Sequence, residues 1–362
     1  FGTGHPDVPV TMKVTQPFIP YDADNDHVKF LMQFMEAILP DASVRDYMLK
    51  VMGICLTLDT SLQLFWVLTG TGSNGKGRLM NLLEECLGTY YQAVSPAMLT
   101  RKRESANEAN EALMALVKAR LAVFQEPEAG EVIQAGTVKA ITGEDTLSSR
   151  VNYGKQTKFR PKFKSFLVAN DLPATSEATV ALFRRVRIIN FPTSFVEEPK
   201  LPHERQIDYQ LDKKLKAAAP HFIAVLIHHY ERFVKEGLKE PTSVRDSTKK
   251  YQNDNDVIKQ FKDETLLSVK DGVGLPSQDH YICWTKVGQV FQKWYLKQTL
   301  KAATAKHILK LRDSFGPFAT FNWARSGWIK RVGYEYQGDK KSENFKGWPG
   351  YKWKDGVLET YD

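Results

Sequence analysis

The sequence predicts an α/β protein with a parallel-rich sheet and flanking helices, and three observations support this fold class. Short apolar runs, each suited to a buried strand, recur along the first 190 residues. Segments with apolar residues at helical spacing separate these runs. A glycine-rich loop joins the first apolar run to a helix, and this is the context in which a phosphate-binding loop occurs.

The glycine-rich loop is the stretch TGTGSNGKG at residues 69–77, and it follows the apolar run LQLFWVL. Gly70 and Gly75 bracket four residues, and Lys76 follows them. Glycines let backbone N–H groups turn toward phosphate oxygens, and a helix N-terminus adds a partial positive charge. Lys76 would supply a full charge to the β- and γ-phosphates. The predicted nucleotide-binding residues are Gly70, Thr71, Gly72, Ser73, Asn74, Gly75, Lys76, Gly77 and Arg78.

Gly77 departs from the usual pattern, in which a Ser or Thr hydroxyl at this position holds Mg²⁺. The alternative interpretation of the loop is a glycine-rich turn that binds nothing. The flanking strand and helix favour a nucleotide site over that alternative. Without the hydroxyl, Mg²⁺ would need water or a carboxylate such as Glu126 in its place, and Mg²⁺ often keeps several waters.

The composition indicates an anionic partner, nucleic acid first, because 50 Lys and Arg against 42 Asp and Glu leave a net charge of +8. Cys55, Cys86 and Cys283 form no CxxC pair, so neither a zinc site nor a disulfide framework is indicated. The sequence shows no signal-peptide pattern and no run of 18 uncharged apolar residues. We therefore expect a cytoplasmic or nuclear protein that is not secreted and has no membrane partner. The chain begins at Phe1 rather than Met, and we expect it to be part of a longer protein.

The patterns along the chain predict five segments. Residues 1–24 are rich in proline and form an arm or linker, and residues 25–60 form a small helical domain. Residues 61–200 hold the predicted buried strands and form the nucleotide-binding core. Residues 201–270 form a helical subdomain, and residues 271–362 form a winged-helix-like domain.

Polar side chains follow two of the later apolar runs. The run Leu121–Phe124 leads to Glu126 and Glu128, and carboxylates at such a strand end can hold and deprotonate a metal-bound water. The alternative is an exposed acidic turn. Asn170 follows the run Ser165–Ala169, and its amide could hydrogen-bond the γ-phosphate and the attacking water, or could cap a turn.

Two basic clusters occur in the core. Arg184, Arg185 and Arg187 directly precede a further buried strand, where arginines are costly unless something anionic receives them. The second cluster alternates with apolar residues and predicts a β-hairpin with a basic, aromatic tip that suits a phosphate backbone. An ordinary exposed hairpin is the alternative. The predicted DNA-binding residues of this hairpin are Arg150, Tyr153, Lys155 and Lys158.

Helical patterns dominate after Pro202. Two amphipathic helices are expected at Tyr209–Ala219 and His221–Glu236, and the polar segment LKEPTSVRDSTKKY is expected to be a linker. Another helix should then extend to Val269.

The last part of the chain predicts two helices, at Trp284–Gln298 and Ala302–Ser314, followed by short aromatic strands. Helix, helix and then strands is the order of a winged helix, which is often a nucleic-acid binder. A phosphate-facing side and a merely solvated helix face are both open interpretations of its basic residues. These are Lys301, Lys306, Lys310 and Arg312.

Five ordered motifs resemble the superfamily 3 helicases, in particular the helicase part of poxvirus-type and phage or plasmid primase–helicases. They occur in the family's order and at about its spacing within residues 25–265. The segment before the glycine loop also looks like the domain that precedes the core in that family. The motifs are GTGSNGKG, ARLAVFQEPEAGE, VKAITGEDTLSSRVNYG, FLVANDLP and FRRVRIINFP.

The resemblance implies an AAA+-type core that forms a ring, usually hexameric, hydrolyses ATP with Mg²⁺ and moves 3′→5′ along single-stranded DNA. It implies that Gly70, Gly75 and Lys76 are Walker A residues. It implies that Glu126 and Glu128 are the Walker B acids, with Glu126 beside the nucleotide-bound Mg²⁺. It also implies that Asn170 is the sensor 1 residue.

The resemblance also implies roles outside the subunit's own nucleotide site. Arg184 and Arg185 match the arginine-finger motif that reaches a neighbouring subunit's nucleotide. Lys139 falls where the family has a basic residue that faces the adjacent site. Tyr153 and Lys155 fall at or near the DNA-gripping hairpin, together with Arg150.

The expected function is therefore that of an ATP-dependent replicative DNA helicase of a virus, phage or other mobile element, in an infected or element-carrying cell. Its expected partners are single-stranded or fork DNA, further copies of the chain, and a primase or polymerase domain in the full-length protein. Two alternatives stay open. One is a degenerate P-loop ring that binds nucleotide and holds DNA without motor activity, and the other is a different P-loop DNA motor or loader.

Overall fold

The computed structural model describes residues 12–14, 16–101, 110–150, 155–273, 281–300, 302–316, 319–322 and 344–361. The α-helices in these ranges are α1 (Asp26–Ile38), α2 (Ala42–Ile54), α3 (Lys76–Leu87), α4 (Ala97–Thr100), α5 (Glu111–Ala115), α6 (Ala135–Thr142), α7 (Val180–Phe183), α8 (Leu211–Glu236), α9 (Thr242–Asn255), α10 (Val257–Thr265), α11 (Trp284–Thr299), α12 (Ala305–Asp313) and α13 (Val357–Tyr361). Short 3₁₀ helices occupy Gly88–Tyr90 and Leu116–Lys118.

The strands in the same ranges are β1 (Phe65–Thr69), β2 (Tyr91–Val94), β3 (Leu121–Gln125), β4 (Val132–Ile133), β5 (Leu147–Ser149), β6 (Thr157–Phe159), β7 (Lys164–Val168), β8 (Ala174–Thr175), β9 (Val186–Asn190), β10 (Ser194–Val196), β11 (Glu204–Gln206), β12 (Leu266–Ser268), β13 (Tyr281–Cys283), β14 (Ala319–Asn322), β15 (Asn344–Pro349) and β16 (Tyr351–Trp353). The chain divides into two compact units, one that ends at Asn255 and one that begins at Asp256. The finer division into five segments stays a prediction.

A five-stranded sheet with the order β2-β3-β7-β1-β9 forms the centre of the first unit, and its neighbouring strands all pair in parallel. This confirms the predicted mixed α/β class with a parallel-rich sheet. Both faces of the sheet are covered, so β1 is buried along its whole length. Its side chains alternate between two cores, with Trp66 and Leu68 in one and Phe65 and Val67 in the other.

The helices before the glycine loop pack on the same face of the sheet as α3 and α8. Leu31 of α1, Met48 of α2, Leu79 of α3 and Phe222 of α8 share one core with Trp66. The opposite core includes residues of α6 and α7. The predicted small helical domain is thus part of the layer that supports the sheet beneath the glycine loop.

The helix α8 runs unbroken through Pro220, so the prediction of two separate helices on either side of this residue is wrong. An internal proline costs a helix about 3 kcal/mol, because it removes a backbone N–H and crowds the preceding turn. Ala219, Phe222 and Leu226 are buried next to it. A fully buried Phe or Leu side chain contributes roughly 1.5–3 kcal/mol, so packing offsets the cost.

The predicted linker after α8 is also wrong, because most of it is the helix α9. Its sequence is polar, but Val244, Thr248 and Tyr251 lie at helical spacing and are buried. Thr248 Oγ1 accepts a hydrogen bond of 3.0 Å from the backbone N–H of Ile188 in the edge strand β9. The helix therefore covers an edge of the sheet that would otherwise leave backbone donors unpaired.

The second unit contains the helices α10, α11 and α12 and an antiparallel sheet with the order β13-β15-β14. Phe261, Phe291, Trp294 and Trp348 are fully buried in its core. The predicted order of two helices followed by strands is present. The aromatic residues assigned to those strands lie outside the described residues, and they are Trp323, Trp328, Tyr334 and Tyr336. Among the helices that the structure describes, none has the length and apolar character needed to cross a membrane.

Candidate nucleotide site

Three neighbouring strands bring the predicted site residues together at the carboxyl edge of the central sheet. The strands β3, β7 and β1 lie side by side in that order. Glu126 directly follows β3, Asn170 follows β7, and Gly70 follows β1. Because carboxyl ends of parallel strands meet at one edge of a sheet, residues about 50 positions apart in sequence become neighbours here.

The glycine loop needs glycine at Gly70 and favours it at Gly75. Gly70 has a φ of 145°, and a Cβ atom built on it would lie 2.4 Å from the carbonyl oxygen of Phe191. Gly75 has a φ of 84° and caps the N-terminus of α3 in the left-handed conformation, which is easy for glycine. The loop therefore delivers the N-terminus of α3 to the end of β1, where backbone N–H groups and the helix dipole favour an anion.

Lys76, the first residue of α3, is buried, with only 4% of its surface exposed. Its Nζ donates hydrogen bonds to the carbonyl oxygen of Gly70 at 2.7 Å and to Oδ1 of Asn170 at 3.3 Å. Burial lowers the pKa of Lys76, although the charge of Glu126 opposes this shift. A desolvated ammonium group at the loop is stabilised by an anionic partner, so this position favours the binding of an anionic ligand.

Asn170 links the lysine to the carboxylate. Its Nδ2 lies 3.5 Å from Oε1 of Glu126, and its backbone carbonyl accepts a 2.9 Å hydrogen bond from Oγ1 of Thr69. Glu126 has a φ of 46°, a conformation that non-glycine residues seldom adopt and that is concentrated at functional sites. The sequence patterns did not single out Thr69, which holds Asn170 from the end of β1.

A cavity of about 330 Å³ opens at these residues. Its size is at the lower end of small-molecule pockets. Two lining residues that the sequence patterns missed, Met80 and Asn81, lie one turn after the loop. The lining residues are Gly72, Ser73, Asn74, Gly75, Lys76, Gly77, Arg78, Met80, Asn81, Gln125, Glu126, Val168 and Asn170.

Gly77 faces open space, because a Cβ atom built on it would have no heavy atom within 4 Å. A serine or threonine side chain would therefore fit at this position. The next residue, Arg78, forms an exposed ion pair of 2.5 Å with Asp212 at the start of α8. The part of the chain that the structure describes contains no group of three or more His, Cys, Asp or Glu residues suited to a metal ion.

Glu128 is the one predicted carboxylate that does not line the cavity. It is exposed and begins a turn in which its backbone N–H donates to the Glu131 carboxylate at 3.0 Å. The structure thus brings Glu126 to Lys76 and leaves Glu128 outside the group.

The arginines lie at the opposite end of the strands. The backbone N–H of Phe65, at the start of β1, donates to the carbonyl of Arg185 at 2.8 Å. Since β1 spans five residues, this end is roughly 13 Å from the glycine loop. Arg184 and Arg185 are therefore on the amino edge of the sheet, away from the cavity of their own chain.

The adjacent arginines differ in environment. Arg185 is buried and donates to the carbonyl oxygen of Ala181 at 2.7 Å and to Oε1 of Gln63 at 3.1 Å. Burial lowers its pKa, and the neighbouring Arg184 contributes to the shift. The Arg184 side chain is exposed, and within the described part of the chain no hydrogen bond or ion pair holds its guanidinium. Arg187 is anchored by Glu240 at 2.7 Å.

The predicted basic hairpin is present as the antiparallel pair of β5 and β6. Arg150 directly follows β5, and Lys155 and Lys158 are exposed on the return side. Tyr153, the predicted aromatic tip, lies outside the described residues. Lys139 is half-buried in the last turn of α6.

Comparison with curated proteins finds relatives in large DNA viruses. The chain is 31% identical over 320 residues to a predicted helicase, L207/L206, of Acanthamoeba polyphaga mimivirus. It is 31% identical over 271 residues to a predicted helicase, 022R, of Frog virus 3, and 24% identical over 295 residues to a predicted primase, C962R, of African swine fever virus. The chain is thus similar in sequence to viral proteins that are named as helicases and primases. The resemblance drawn from the sequence motifs is thereby confirmed.

The matches cover 85%, 70% and 77% of this chain, but only 33%, 28% and 29% of the three viral proteins. This chain thus spans about a third of the length of the relatives. Among solved structures, the apo form of the NrS-1 C-terminal region aligns with a TM-score of 0.51 at 12% identity, over 89% of this chain and 76% of that one. Such a likeness supports the fold. No protein-family model matches the chain.

Proposed function

We propose that the chain is the ATP-dependent helicase part of a viral replication protein, with an AAA+-type core of superfamily 3. The observation that carries the proposal is the convergence of Lys76, Asn170 and Glu126 on one cavity at the carboxyl edge of the sheet. The viral relatives named as helicases and primases agree with it. ATP and Mg²⁺ are the proposed cofactors.

Each residue at the cavity has a chemical role in this proposal. The glycine loop and the N-terminus of α3 bind the phosphates through backbone N–H groups, and Lys76 neutralises the β- and γ-phosphates. Asn170 orients the attacking water, and Glu126 accepts its proton. Mg²⁺ bound with the nucleotide would offset the charge that develops on the phosphates.

The position of Arg184 at the amino ends of the strands supports the proposal of a homo-oligomer. A hexameric ring is the proposed form. Arg184 lies on the side of the sheet away from its own cavity, so it could act only on the nucleotide of a neighbouring copy. The exposed Lys155 and Lys158 on the hairpin are the proposed contacts to the backbone of single-stranded DNA, with 3′→5′ movement. Arg150, Tyr153 and Lys139 stay candidates for DNA or neighbour contacts. A primase domain elsewhere in the full-length protein and a replication site inside the infected cell complete the proposal.

The direct test is Mg²⁺-dependent ATP hydrolysis with and without single-stranded DNA, for the wild type and for Lys76→Ala. We expect DNA-stimulated turnover in the wild type and its loss in the variant. A wild-type ring that binds nucleotide without turning it over would instead support the DNA-holding module, which the missing hydroxyl at Gly77 favours. A strict preference for duplex DNA with turnover would support a different P-loop motor or loader.

A further inference from the structure

Most of the net positive charge of the chain lies in its second unit. Residues 256–362 contain 18 Lys and Arg against 12 Asp and Glu, a net charge of +6 out of +8 for the whole chain. The first unit, which holds the nucleotide cavity, is close to neutral. A local excess of positive charge is the electrostatic footprint of a nucleic-acid partner.

The second unit contains two consecutive helices and a small antiparallel sheet. The helices α11 and α12 are separated by residues 300–304, and the antiparallel strands β13, β15 and β14 lie in the same unit. Leu300 ends α11 in the left-handed conformation with a φ of 55°. Thr304 starts α12 with a capping box that includes His307. In helix-turn-helix proteins the second helix of such a pair enters the major groove.

The helix α12 has an inward and an outward side. Leu311 is fully buried, and Ile308 packs against the same core. Lys306 and Leu309 are exposed, and Leu309 keeps 49% of its surface accessible. Lys310, four residues after Lys306, lies on the same side of the helix and is half-buried. The outward side therefore presents two lysines beside an aliphatic group.

These features fit duplex DNA better than a single strand. Proteins that bind single strands stack bases on accessible aromatic side chains. In the described part of the second unit Trp294 and Trp348 are buried in the core, and Trp284 and Trp353 are partly buried against it. An aliphatic side chain between lysines instead suits the major groove, where phosphates lie on both sides and thymine presents a methyl group.

We propose that the second unit is a separate duplex-DNA-binding site, in which α12 enters the major groove, Lys306 and Lys310 contact phosphates, and Leu309 faces the base edges. This site goes beyond the proposed motor function, because it needs neither nucleotide nor the hairpin of the first unit. It would hold the unopened duplex while the first unit acts on a separated strand.

The test measures binding of the full chain to a blunt-ended fluorescent duplex and to a single strand by anisotropy, without nucleotide and at several salt concentrations. The variant Lys306→Glu/Lys310→Glu removes the proposed contacts. A matched control, Lys249→Glu/Lys250→Glu, makes the same charge change on the exposed side of α9 in the first unit. Thermal unfolding of each variant verifies the fold, and Lys306→Gln/Lys310→Gln replaces the α12 variant if it unfolds.

We expect the α12 variant to lose at least about tenfold in duplex affinity, with the slope of log affinity against log salt smaller by about 2. Its affinity for the single strand should change less than about twofold, and the control should keep both affinities. The reverse pattern is expected for Lys155→Glu/Lys158→Glu. Equal losses in the α12 variant and the control, equal losses on both DNA forms, or an unchanged duplex affinity would each overturn the proposal.

Discussion

A buried lysine lies at each end of the central strands, one at their carboxyl ends and one at their amino ends. The surroundings of these two lysines differ. Lys76 at the carboxyl edge and Lys164 at the amino edge are both 4% exposed. Burial lowers the pKa of each, and that of Lys164 falls to about 8. Lys76 faces a cavity of about 330 Å³, whereas the space beside Lys164 is about 20 Å³, enough for roughly one water.

The difference comes from the segments that approach each edge. At the carboxyl edge the glycine loop keeps side chains away and leaves backbone donors directed at open space. At the amino edge the chain after α2 closes over the sheet, and Thr57 accepts from Lys164 Nζ through its carbonyl at 2.5 Å and its hydroxyl at 3.4 Å. A buried lysine beside an open cavity indicates a ligand site. A buried lysine whose hydrogen bonds are all made to its own chain indicates a structural role.

The largest effect is expected from a substitution at the amino ends of the strands. It tests whether Arg184 contributes to catalysis at the nucleotide site of a neighbouring copy. Arg184→Ala should lower DNA-stimulated ATP turnover by about 10³-fold, because an arginine supplied in trans stabilises charge in phosphoryl transfer. Mixing Arg184→Ala with Lys76→Ala should restore part of the turnover, since a mixed ring contains sites with an intact lysine and an intact arginine. A mixture that stays inactive would contradict the assignment in trans.

The structural character of Lys164 predicts a pH effect on stability. Its pKa of about 8 lies below the ordinary value, so between pH 8 and pH 10 the unfolded chain binds more protons and folding gains stability as pH rises. Urea unfolding should show that the wild type gains up to about 3 kcal/mol relative to Lys164→Met across this range. Lys162 is exposed and provides the control. The unfolding free energy of Lys162→Met should change with pH as that of the wild type does. A difference between wild type and Lys164→Met that does not vary with pH would refute this role.

A smaller effect is expected for the glycine that keeps the carboxyl edge open. Gly70→Ala forces a Cβ atom to within 2.4 Å of the Phe191 carbonyl oxygen at a φ of 145°, so the loop must shift. We expect a loss of about 2 kcal/mol in unfolding free energy and weaker binding of a fluorescent ATP analogue. Gly72→Ala, where nothing lies within 4 Å of the added atom, should leave both quantities near the wild type. Equal effects of the two substitutions would show that crowding at Gly70 is not limiting.

The smallest effect concerns the missing hydroxyl. Because space is open at Gly77, Gly77→Ser should fold normally and gain roughly 0.5 kcal/mol from better helix propensity. The hydroxyl should also lower, by a few-fold, the Mg²⁺ concentration needed for half-maximal turnover. Gly77→Ala separates the two contributions, since it adds helix propensity without a metal ligand. The same Mg²⁺ response in both variants would mean that the hydroxyl position is not used in this protein.

Much of the nucleotide site could be predicted from local patterns. The apolar runs required buried strands, the glycine loop between a strand and a helix required a turn that exposes backbone donors, and the polar residues Glu126 and Asn170 followed two of the strands. Such features depend on the residues immediately around them, so sequence alone carries them. Thr69 and Asn81 escaped because a hydroxyl or an amide in an apolar segment has no distinctive local pattern.

The local sequence was misleading where long-range packing outweighs propensity. Pro220 predicts the end of a helix, yet the burial of Phe222 and Leu226 keeps α8 continuous. The polar segment after α8 predicts a linker, yet Thr248 satisfies a backbone donor of the edge strand and makes it the helix α9. In both cases the deciding partner lies far away in the sequence.

The sequence by itself therefore determined the parallel-rich class, the phosphate-binding loop and the residue types around it. Only the tertiary structure decided that β7 lies between β3 and β1, so that Asn170 joins Glu126 to Lys76, and that Arg184 lies at the other end of the strands. The physical reason is that strand order depends on which faces and edges the helices can cover. That choice is made by contacts between distant segments, and no single segment encodes it.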